Sequence, residues 1–251
     1  MLKKRVLPAL LFKENSLVKG KNFDSSRKVG SVMEAIKTYD LREVDELFFF
    51  DVSASLENRT IDSDYINDIS KECFVPLCVG GGVNNLESIG SLLKSGADKV
   101  CINSKAISDL SFLEVASKKF GSQCIVVSVD YCTQNGLQYV YSKSGSLRSD
   151  KELFEYLISV EKAGAGEVIL TSIKHEGLMK GYDYDVLKKA KNKVNIPLIA
   201  NGGAGNYNDM LKAFNFSNVD AVCASSIYHF TEKTPKEAKF FLKNNGINVR
   251  I

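Results

Sequence analysis

The chain has 251 residues, of which 44% are hydrophobic and 25% charged, and its formal net charge is +3. A length of about 250 residues suits one α/β barrel or two smaller domains, and this composition excludes a disordered chain. Acidic and basic residues are interleaved with no arginine-rich run, which excludes nucleic acid as an expected partner. The small net positive charge is compatible with an anionic small-molecule substrate.

The first residues, Met1 to Arg5, are basic, but the apolar run after them is short and contains Pro8. No signal-peptide cleavage pattern follows, and no stretch of about 18 apolar residues occurs. The six cysteines include no Cys-x-x-Cys pair, and the two histidines, His175 and His229, have no metal-ligand partners at useful spacing. We expect a cytoplasmic protein with reduced thiols, no cofactor, no metal and no membrane contact, in which both histidines are surface or rim residues of loops.

Short apolar runs recur along the chain between polar or glycine residues, as is typical of strands buried on both faces. They are Val6–Phe12, Glu46–Val52, Val75–Val79, Lys99–Ile102, Cys124–Val129, Glu167–Leu170, Ile196–Ala200 and Ala221–Ala224. Segments with helical spacing alternate with them: Val32–Tyr39, Asp64–Ser70, Leu86–Lys94, Leu113–Lys118, Leu153–Lys162, Tyr184–Ala190, Tyr207–Phe214 and Lys236–Leu242. This alternation predicts a parallel sheet closed into a (β/α)8 barrel, which leaves no edge strand. An open doubly wound sheet is the alternative.

The second half of the chain repeats motifs of the first after about 120 residues. The segment Val75–Gly82 parallels Ile196–Gly203, and Ala97–Ser104 parallels Val219–Ser226. A repeat at fixed spacing indicates repeated structural units. We therefore predict a single domain, residues 1–251, built from two half-barrels of about residues 1–120 and 121–251.

Glycines follow the third and the seventh predicted strand, and the next strand in each half ends in small polar residues that open a helix. Glycine lets backbone N–H groups approach an anion closely, and a helix N-terminus offers unpaired N–H groups. Because barrel enzymes place their active sites at the carboxyl ends of the strands, we predict one phosphate site per half. Tight turns and helix caps are the alternative interpretation. The predicted contacts are Gly81, Gly82, Asn103 and Ser104 in the first half and Gly202, Gly203, Ser225 and Ser226 in the second.

Four charged residues stand at the opposite, amino-terminal ends of predicted strands: Arg5, Glu46, Lys99 and Glu167. Two acids and two bases from alternating strands can close a ring around the barrel axis. Buried charges are costly unless they are paired, so such a ring needs a reason. A network that only stabilises the bottom of the barrel is one interpretation.

Two carboxylates end predicted strands, Asp51 the second and Asp130 the fifth. An acid at the top of a barrel strand is a candidate for general acid–base catalysis or substrate binding, with a cap or loop-bridging role as the alternative. Lys19 lies in the polar segment Lys13–Ser31 after the first strand. The length of this segment predicts a mobile loop that closes over the substrate.

The motifs resemble the cyclase subunit of imidazole glycerol phosphate synthase over nearly the whole chain. The segments that carry the resemblance are Val18–Gly20, Asp45–Leu47, Val79–Gly82, Gly96–Val100, Gly121–Val127 and Gly202–Gly205. The resemblance implies a heterodimer with a glutaminase subunit, whose ammonia enters the bottom of the barrel through the four charges acting as a gate. It also implies a docking role for Asp98, catalytic roles for Asp130 and Lys19, a substrate contact by Gly177, and cyclisation of a bis-phosphorylated ribonucleotide.

The reacting centre departs from the pattern of that family. The family has two opposed aspartates, of which one matches Asp130 and the other falls on Leu11, which cannot exchange a proton. The family's Asp-x-Asp-Gly-Thr reads Lys174–Leu178 here, with Gly177 kept, and Asn201 replaces a serine.

With these departures the chain resembles the branch of the family that is found with surface-polysaccharide synthesis, which implies ammonia delivery for acetamidino-sugar synthesis with a third, sugar-modifying protein. One alternative is an ordinary cyclase of histidine biosynthesis, in which Asp51 or Glu176 replaces the missing acid. The other is a non-catalytic scaffold that conducts ammonia.

Overall fold

The computed structural model describes residues 3–251. In chain order the strands are β1 (Arg5–Lys13), β2 (Ser16–Val18), β3 (Lys28–Gly30), β4 (Leu47–Asp51), β5 (Leu77–Gly80), β6 (Lys99–Ile102), β7 (Ile125–Gln134), β8 (Leu137–Ser142), β9 (Leu147–Glu152), β10 (Glu167–Ser172), β11 (Leu198–Asn201) and β12 (Ala221–Ala224). The helices are α1 (Val32–Leu41), α2 (Ser63–Ser70), α3 (Leu86–Lys94), α4 (Ser104–Ser108), α5 (Leu110–Phe120), α6 (Leu153–Lys162), α7 (Tyr184–Lys191), α8 (Tyr207–Ser217), α9 (Ser226–Phe230) and α10 (Pro235–Asn244).

Eight of these strands form a closed parallel barrel. Their neighbour order is β1, β4, β5, β6, β7, β10, β11 and β12, and β12 pairs with β1 again. The predicted (β/α)8 barrel is confirmed. The open-sheet alternative is wrong, because the pairing of β12 with β1 leaves none of these eight strands with a free edge.

Side chains on the barrel strands alternate between two apolar clusters, as the two-residue period of a strand requires. On β1, Val6 and Leu10 pack outward against the helices, whereas Leu7 and Ala9 point into the barrel. The inward cluster comprises Leu7, Ala9, Phe48, Cys78, Cys101, Val126, Ile169, Ile199, Ala221 and Cys223. The barrel axis is therefore lined by apolar side chains between its two ends.

Some of the helices begin at residues whose side chains cap them. Asn85 accepts a hydrogen bond from the backbone N–H of Ser88 at 2.8 Å, and capping boxes join Asn206 to Asp209 before α8 and Thr234 to Glu237 before α10. These caps fix where α3, α8 and α10 begin. Within residues 3–251 no helix is long and apolar enough to cross a membrane.

Two antiparallel extensions rise from the barrel strands at their carboxyl ends. Strands β2 and β3 fold back on β1, with Phe12 opposite Leu17, so the segment predicted as a loop contains two short strands. Strands β8 and β9 continue in the same way from β7. Neither hairpin is predicted from the sequence, because β2 and β3 have only three residues each and β9 is polar, so they lack the apolar runs of barrel strands.

Candidate functional site

A cavity of about 460 Å³ opens at the carboxyl ends of the barrel strands, and we call this opening the mouth. Its walls come from both halves of the chain. Every residue predicted to act in catalysis or substrate binding lines it: Lys19, Asp51, Gly81, Gly82, Asn103, Ser104, Asp130, Gly177, Gly202, Gly203, Ser225 and Ser226. Leu11 lines the same cavity, so the departure at this position lies at the mouth itself.

The second-half cradle consists of Gly202 and Gly203 after β11 and Ser225 and Ser226 after β12. Gly203 has a φ of +117°, and a Cβ there would overlap the carbonyl oxygen of Gly181, so only glycine fits. The hydroxyls of Ser225 and Ser226 are buried without a hydrogen-bond partner. A buried polar group without a partner costs about 1–3 kcal/mol, so the cradle offers two hydroxyls to a ligand.

The first-half cradle consists of Gly81, Gly82, Asn103 and Ser104, and its polar groups already have partners. The hydroxyl of Ser104 accepts a hydrogen bond from the backbone N–H of Lys143 at 3.0 Å and donates one to Asn103 Oδ1 at 3.2 Å. Gly82 has a φ of +64°, and a Cβ there would overlap the carbonyl oxygen of Arg59. The two cradles therefore match in position but differ in how many donors they leave free.

Asp130 on β7 is a buried carboxyl group at the mouth. Asn103 Nδ2 donates to its Oδ2 and Ser128 Oγ donates to its Oδ1, each at 3.1 Å. Burial raises the pKa of Asp130 to about 7, and the hydrogen bonds from Ser128 and Thr171 oppose that rise only in part. Both protonation states are therefore populated near neutral pH, which suits a group that accepts and donates a proton.

Asp51 is engaged within its own loop. Its Oδ1 accepts hydrogen bonds from the backbone N–H of Ser53 at 3.0 Å and of Ala54 at 3.1 Å, and its Oδ2 pairs with Arg59 Nη1 at 2.6 Å. These contacts are the loop-bridging role that was the alternative for Asp51. A contact of Asp51 with substrate stays a prediction.

Lys19 is buried at the mouth and forms an ion pair with Glu176, which follows β10. Burial lowers the pKa of Lys19, while the neighbouring carboxylate favours the charged ammonium. The segment around Lys19 was predicted as a mobile loop that closes over the substrate, and its mobility stays a prediction. In the structure, strands β2 and β3 and the contact with Glu176 hold this segment over the mouth.

The four charges predicted at the amino-terminal ends of the strands form a closed ring. Arg5 Nη1 lies 2.8 Å from Glu46 Oε2, Lys99 Nζ lies 2.9 Å from Glu46 Oε2 and 3.0 Å from Glu167 Oε2, and Arg5 Nη2 pairs with Glu167 Oε1. Burial raises the pKa of Glu46, whose Oε1 has no hydrogen-bond partner. The geometry of the predicted ring is present, and its role as a gate stays a prediction.

The charged ring and the mouth lie on one axis, separated by the inward apolar cluster. Cys101 and Cys223 of that cluster also line the cavity, and Cys78 pairs in register with Lys99 of the ring. The bottom face around the ring exposes Asp98, whose Oδ2 accepts a hydrogen bond from the backbone N–H of Leu77 at 2.8 Å. An apolar layer therefore lies between the charged ring and the polar mouth.

His175 agrees with its predicted placement in a loop, whereas His229, predicted at the surface or rim, is largely buried. His175 lies in the loop after β10, where its Nδ1 is 2.8 Å from Ser172 Oγ. His229 lies on α9 rather than in a loop, and burial lowers its pKa to about 4, so its ring is neutral at physiological pH. Residues 3–251 contain no group of three or more His, Cys, Asp or Glu side chains placed to hold a metal ion.

Sequence reasoning missed two contributors to the mouth. Arg59 pairs with Asp51, and the turn at Lys143 caps the first-half cradle. The signal for Arg59 was its place in the loop directly after a strand-end acid. Lys143 gave no signal, because its position depends on the unpredicted β8–β9 hairpin.

Comparisons with known protein sequences cover most or all of the chain. The family model described as histidine biosynthesis protein matches residues 5–234. The chain is 43% identical over 251 residues, with 100% of both chains covered, to a Campylobacter jejuni protein described provisionally as imidazole glycerol phosphate synthase subunit hisF2. It is 42% identical over 252 residues to imidazole glycerol phosphate synthase subunit HisF of Dictyoglomus thermophilum, with 100% of both covered. Against the HisF subunit of Dehalococcoides mccartyi the identity is 41% over 251 residues, covering 100% of this chain and 99% of the other. The chain therefore belongs to the histidine biosynthesis protein family, as a full-length relative of the imidazole glycerol phosphate synthase subunit HisF.

Proposed function

We propose that this chain is the synthase subunit of a glutamine amidotransferase pair, which takes ammonia at the bottom of the barrel and joins it to a phosphorylated substrate at the mouth. The observation that carries the proposal is the common axis of the charged ring and the phosphate cradles. The ring of Arg5, Glu46, Lys99 and Glu167 stands at one end of the apolar layer, and the mouth stands at the other. A reaction at the mouth alone gives no reason for a buried ring at the opposite end.

The partner is a glutaminase subunit that docks on the bottom face. Two large apolar side chains stand exposed there, Leu41 at the end of α1 with 81% of its surface accessible and Phe74 before β5 with 80%. Exposed Asp98 adds a negative charge to the same face. Apolar anchors with a polar surround are typical of protein interfaces, and this face encloses the entrance that ammonia would use.

The apolar layer favours neutral ammonia over ammonium and over hydrated ions. Transfer of a charge into a layer of Leu7, Phe48 and Ile169 costs far more than transfer of a small neutral molecule. The ring would admit ammonia when Lys99, which is partly accessible from the bottom, moves aside. Ammonia then reaches the cavity past Cys101 and Cys223 without dilution into solvent.

The chemistry at the mouth is altered relative to an ordinary cyclase. Asp130 is buried with a pKa of about 7, and Leu11 offers no second carboxyl group from β1. Loss of one general acid–base group typically costs about 10²–10⁴-fold in rate. We therefore assign the chain to ammonia supply for an acetamidino group on a nucleotide-activated sugar, as part of surface-polysaccharide synthesis with a third protein.

One alternative has an observation of its own. Glu176 lines the mouth and brings a carboxylate close to Lys19, so an ordinary cyclase with a relocated acid is the second candidate. The name HisF, shared by the relatives, agrees with this candidate.

The test is a reaction of the chain with its glutaminase partner and glutamine labelled with ¹⁵N in the amide group. Product that carries ¹⁵N while unlabelled ammonium is present in the medium supports delivery through the barrel. Product labelled only from the medium contradicts it. Cyclisation of the histidine-pathway substrate within about tenfold of an ordinary HisF subunit would favour the second candidate.

A further inference from the structure

The segment between β1 and α1 contacts the loop after β10, and Glu176 makes several of these contacts. We call residues 14–30 the lid segment. Its Lys19 forms an ion pair with the Glu176 carboxylate, and its Phe23 donates from the backbone N–H to Glu176 Oε2 at 3.1 Å. The backbone N–H of Asn22 donates to the Glu176 carbonyl oxygen at 2.9 Å. Three residues of the lid segment therefore contact Glu176, two of them through its carboxylate and one through its backbone carbonyl.

The backbones of the two segments touch beside this acid. Gly177 has a φ of +75°, and a Cβ on it would overlap the carbonyl oxygen of Gly20. Asn22 Nδ2 also donates to the carbonyl oxygens of Ile173 and Lys174, each at 3.0 Å. The lid segment is thus docked by close backbone approach, and Glu176 lies at the centre of the contact.

Lys19 needs the charge that Glu176 brings. Only 3% of the Lys19 surface and 5% of the Glu176 surface is accessible, and a buried ammonium without a counter-charge is strongly unfavourable. The other titratable groups that face Lys19 are the thiol of Cys223 on β12 and the imidazole of His229 on α9. Burial raises the pKa of Cys223 and lowers that of His229, so both are neutral at physiological pH. Leu11 carries no charge.

We propose that Glu176 is a positioning residue whose carboxylate latches the lid segment over the mouth and holds the Lys19 ammonium there. The catalytic consequence rests on the proposed function, since it requires Lys19 to act on a substrate. The contact between Glu176 and the lid segment exists whether or not the proposed function is correct. Because Leu11 carries no carboxylate, Glu176 is the carboxylate that pairs with Lys19.

Hydrogen exchange of the full chain, followed by mass spectrometry, tests the latch without any substrate. In Glu176→Gln the hydrogen bond from Phe23 can persist but the ion pair is lost, and in Glu176→Ala both are lost. We expect amides of residues 19–27 to exchange about tenfold faster in Glu176→Gln and faster still in Glu176→Ala. Glu14→Gln is the matched control, because Glu14 lies exposed in the same segment, near Lys13. Exchange within about twofold of wild type in both Glu176 variants overturns the proposal.

Kinetics with ammonium salts test the effect on Lys19. We expect Glu176→Gln to lower kcat as far as Lys19→Ala does, with the KM for ammonia unchanged, and the double variant to be no worse than either. Glu176→Asp keeps the charge and should restore part of kcat. Fully multiplicative losses in the double variant, or no rescue by Asp, contradict the positioning role. If the chain proves inactive with the proposed substrate, the exchange result still decides whether the latch exists.

Discussion

The carboxyl group of Asp130 lies where burial and hydrogen bonding act on its pKa in opposite directions. Burial favours the neutral acid, whereas donors on Ser128 and Thr171 favour the carboxylate, and burial dominates. Asn103, a member of the first-half cradle, also donates to Asp130. The proposed proton-transfer group is therefore hydrogen-bonded to a residue predicted to bind substrate, so binding at the cradle is expected to change the protonation of Asp130.

The raised pKa of Asp130 has a defined effect on stability. The folded state holds this proton up to a pKa of about 7, against 3.8 as the ordinary value, so the free energy of unfolding falls as pH rises through that interval. Asp130→Asn removes this dependence. We expect the stability of the variant relative to wild type to increase between pH 4 and 7 by about 2–4 kcal/mol and to stay constant above. Urea unfolding across this pH range measures it, and parallel profiles for the two proteins would contradict the assignment.

The same substitution tests the chemical role of Asp130. Asparagine preserves the size of the side chain but cannot exchange a proton. We expect Asp130→Asn to lower the ammonium-dependent rate by about 10²–10⁴-fold with little change in substrate affinity. A scaffold that only conducts ammonia predicts an unchanged yield of amidino-sugar when the third protein is present.

Single residues at the mouth were largely predictable, and their pairings were not. Asp130 and the cradle residues were found because they stand directly at strand ends, which the apolar runs locate. The ion pair of Lys19 with Glu176 joins two loops that are far apart in sequence, and no local pattern encodes their contact. The engagement of Asp51 by Arg59 was missed as a specific pair for a related reason, since loop conformation decides it.

At the scale of elements, strands buried in the barrel were predicted within a few residues because hydrophobic burial on both faces leaves a continuous apolar run. The runs that begin at Val75 and Ile196 start two residues before β5 and β11, because Pro76 and Pro197 precede these strands and cannot donate to the sheet. The polar β9 owes its conformation to pairing with β8, a tertiary effect that overrides its composition.

The turn after β11 depends on glycine at Gly203. Its φ of +117° strains any other residue, and a Cβ would overlap the carbonyl oxygen of Gly181. We expect Gly203→Ala to lower the free energy of unfolding by about 1–3 kcal/mol and to weaken binding of inorganic phosphate, measured by urea unfolding and calorimetry. Gly136→Ala is the control, because its φ of +82° is also positive while open space surrounds the added Cβ. Equal effects of the two substitutions would mean that conformational strain alone, and not the close approach at the cradle, is being measured.

At the scale of the whole molecule, the closed barrel places two sites at opposite ends of one axis. Strand β6 illustrates this arrangement, because Lys99 at its amino-terminal end belongs to the charged ring and Asn103, directly after its last residue, lines the mouth. The alternation of eight strands and helices made this division predictable. The spacing of the four charges along the chain suggested a ring, but whether the ring closes depends on side-chain geometry, which the sequence does not determine.

The charged ring gives the decisive test of a function that spans the molecule. Lys99→Ala removes one cation between Glu46 and Glu167 and opens the bottom of the barrel, while the mouth is unchanged. We expect the variant, assembled with the glutaminase, to hydrolyse several glutamines per product formed, and to use added ammonium as well as wild type does. Lys191→Ala is the matched control, because Lys191 pairs with Asp220 at 2.7 Å near the bottom face but outside the ring. In Lys99→Ala the two buried acids share Arg5 as their one remaining cation of the ring, which is unfavourable, so the thermal stability of both variants must be compared first. An ammonia gate that lacks its movable cation cannot couple glutamine hydrolysis to product formation. A Lys99→Ala variant that folds and still forms one product per glutamine hydrolysed would therefore show that the ring is only a structural network.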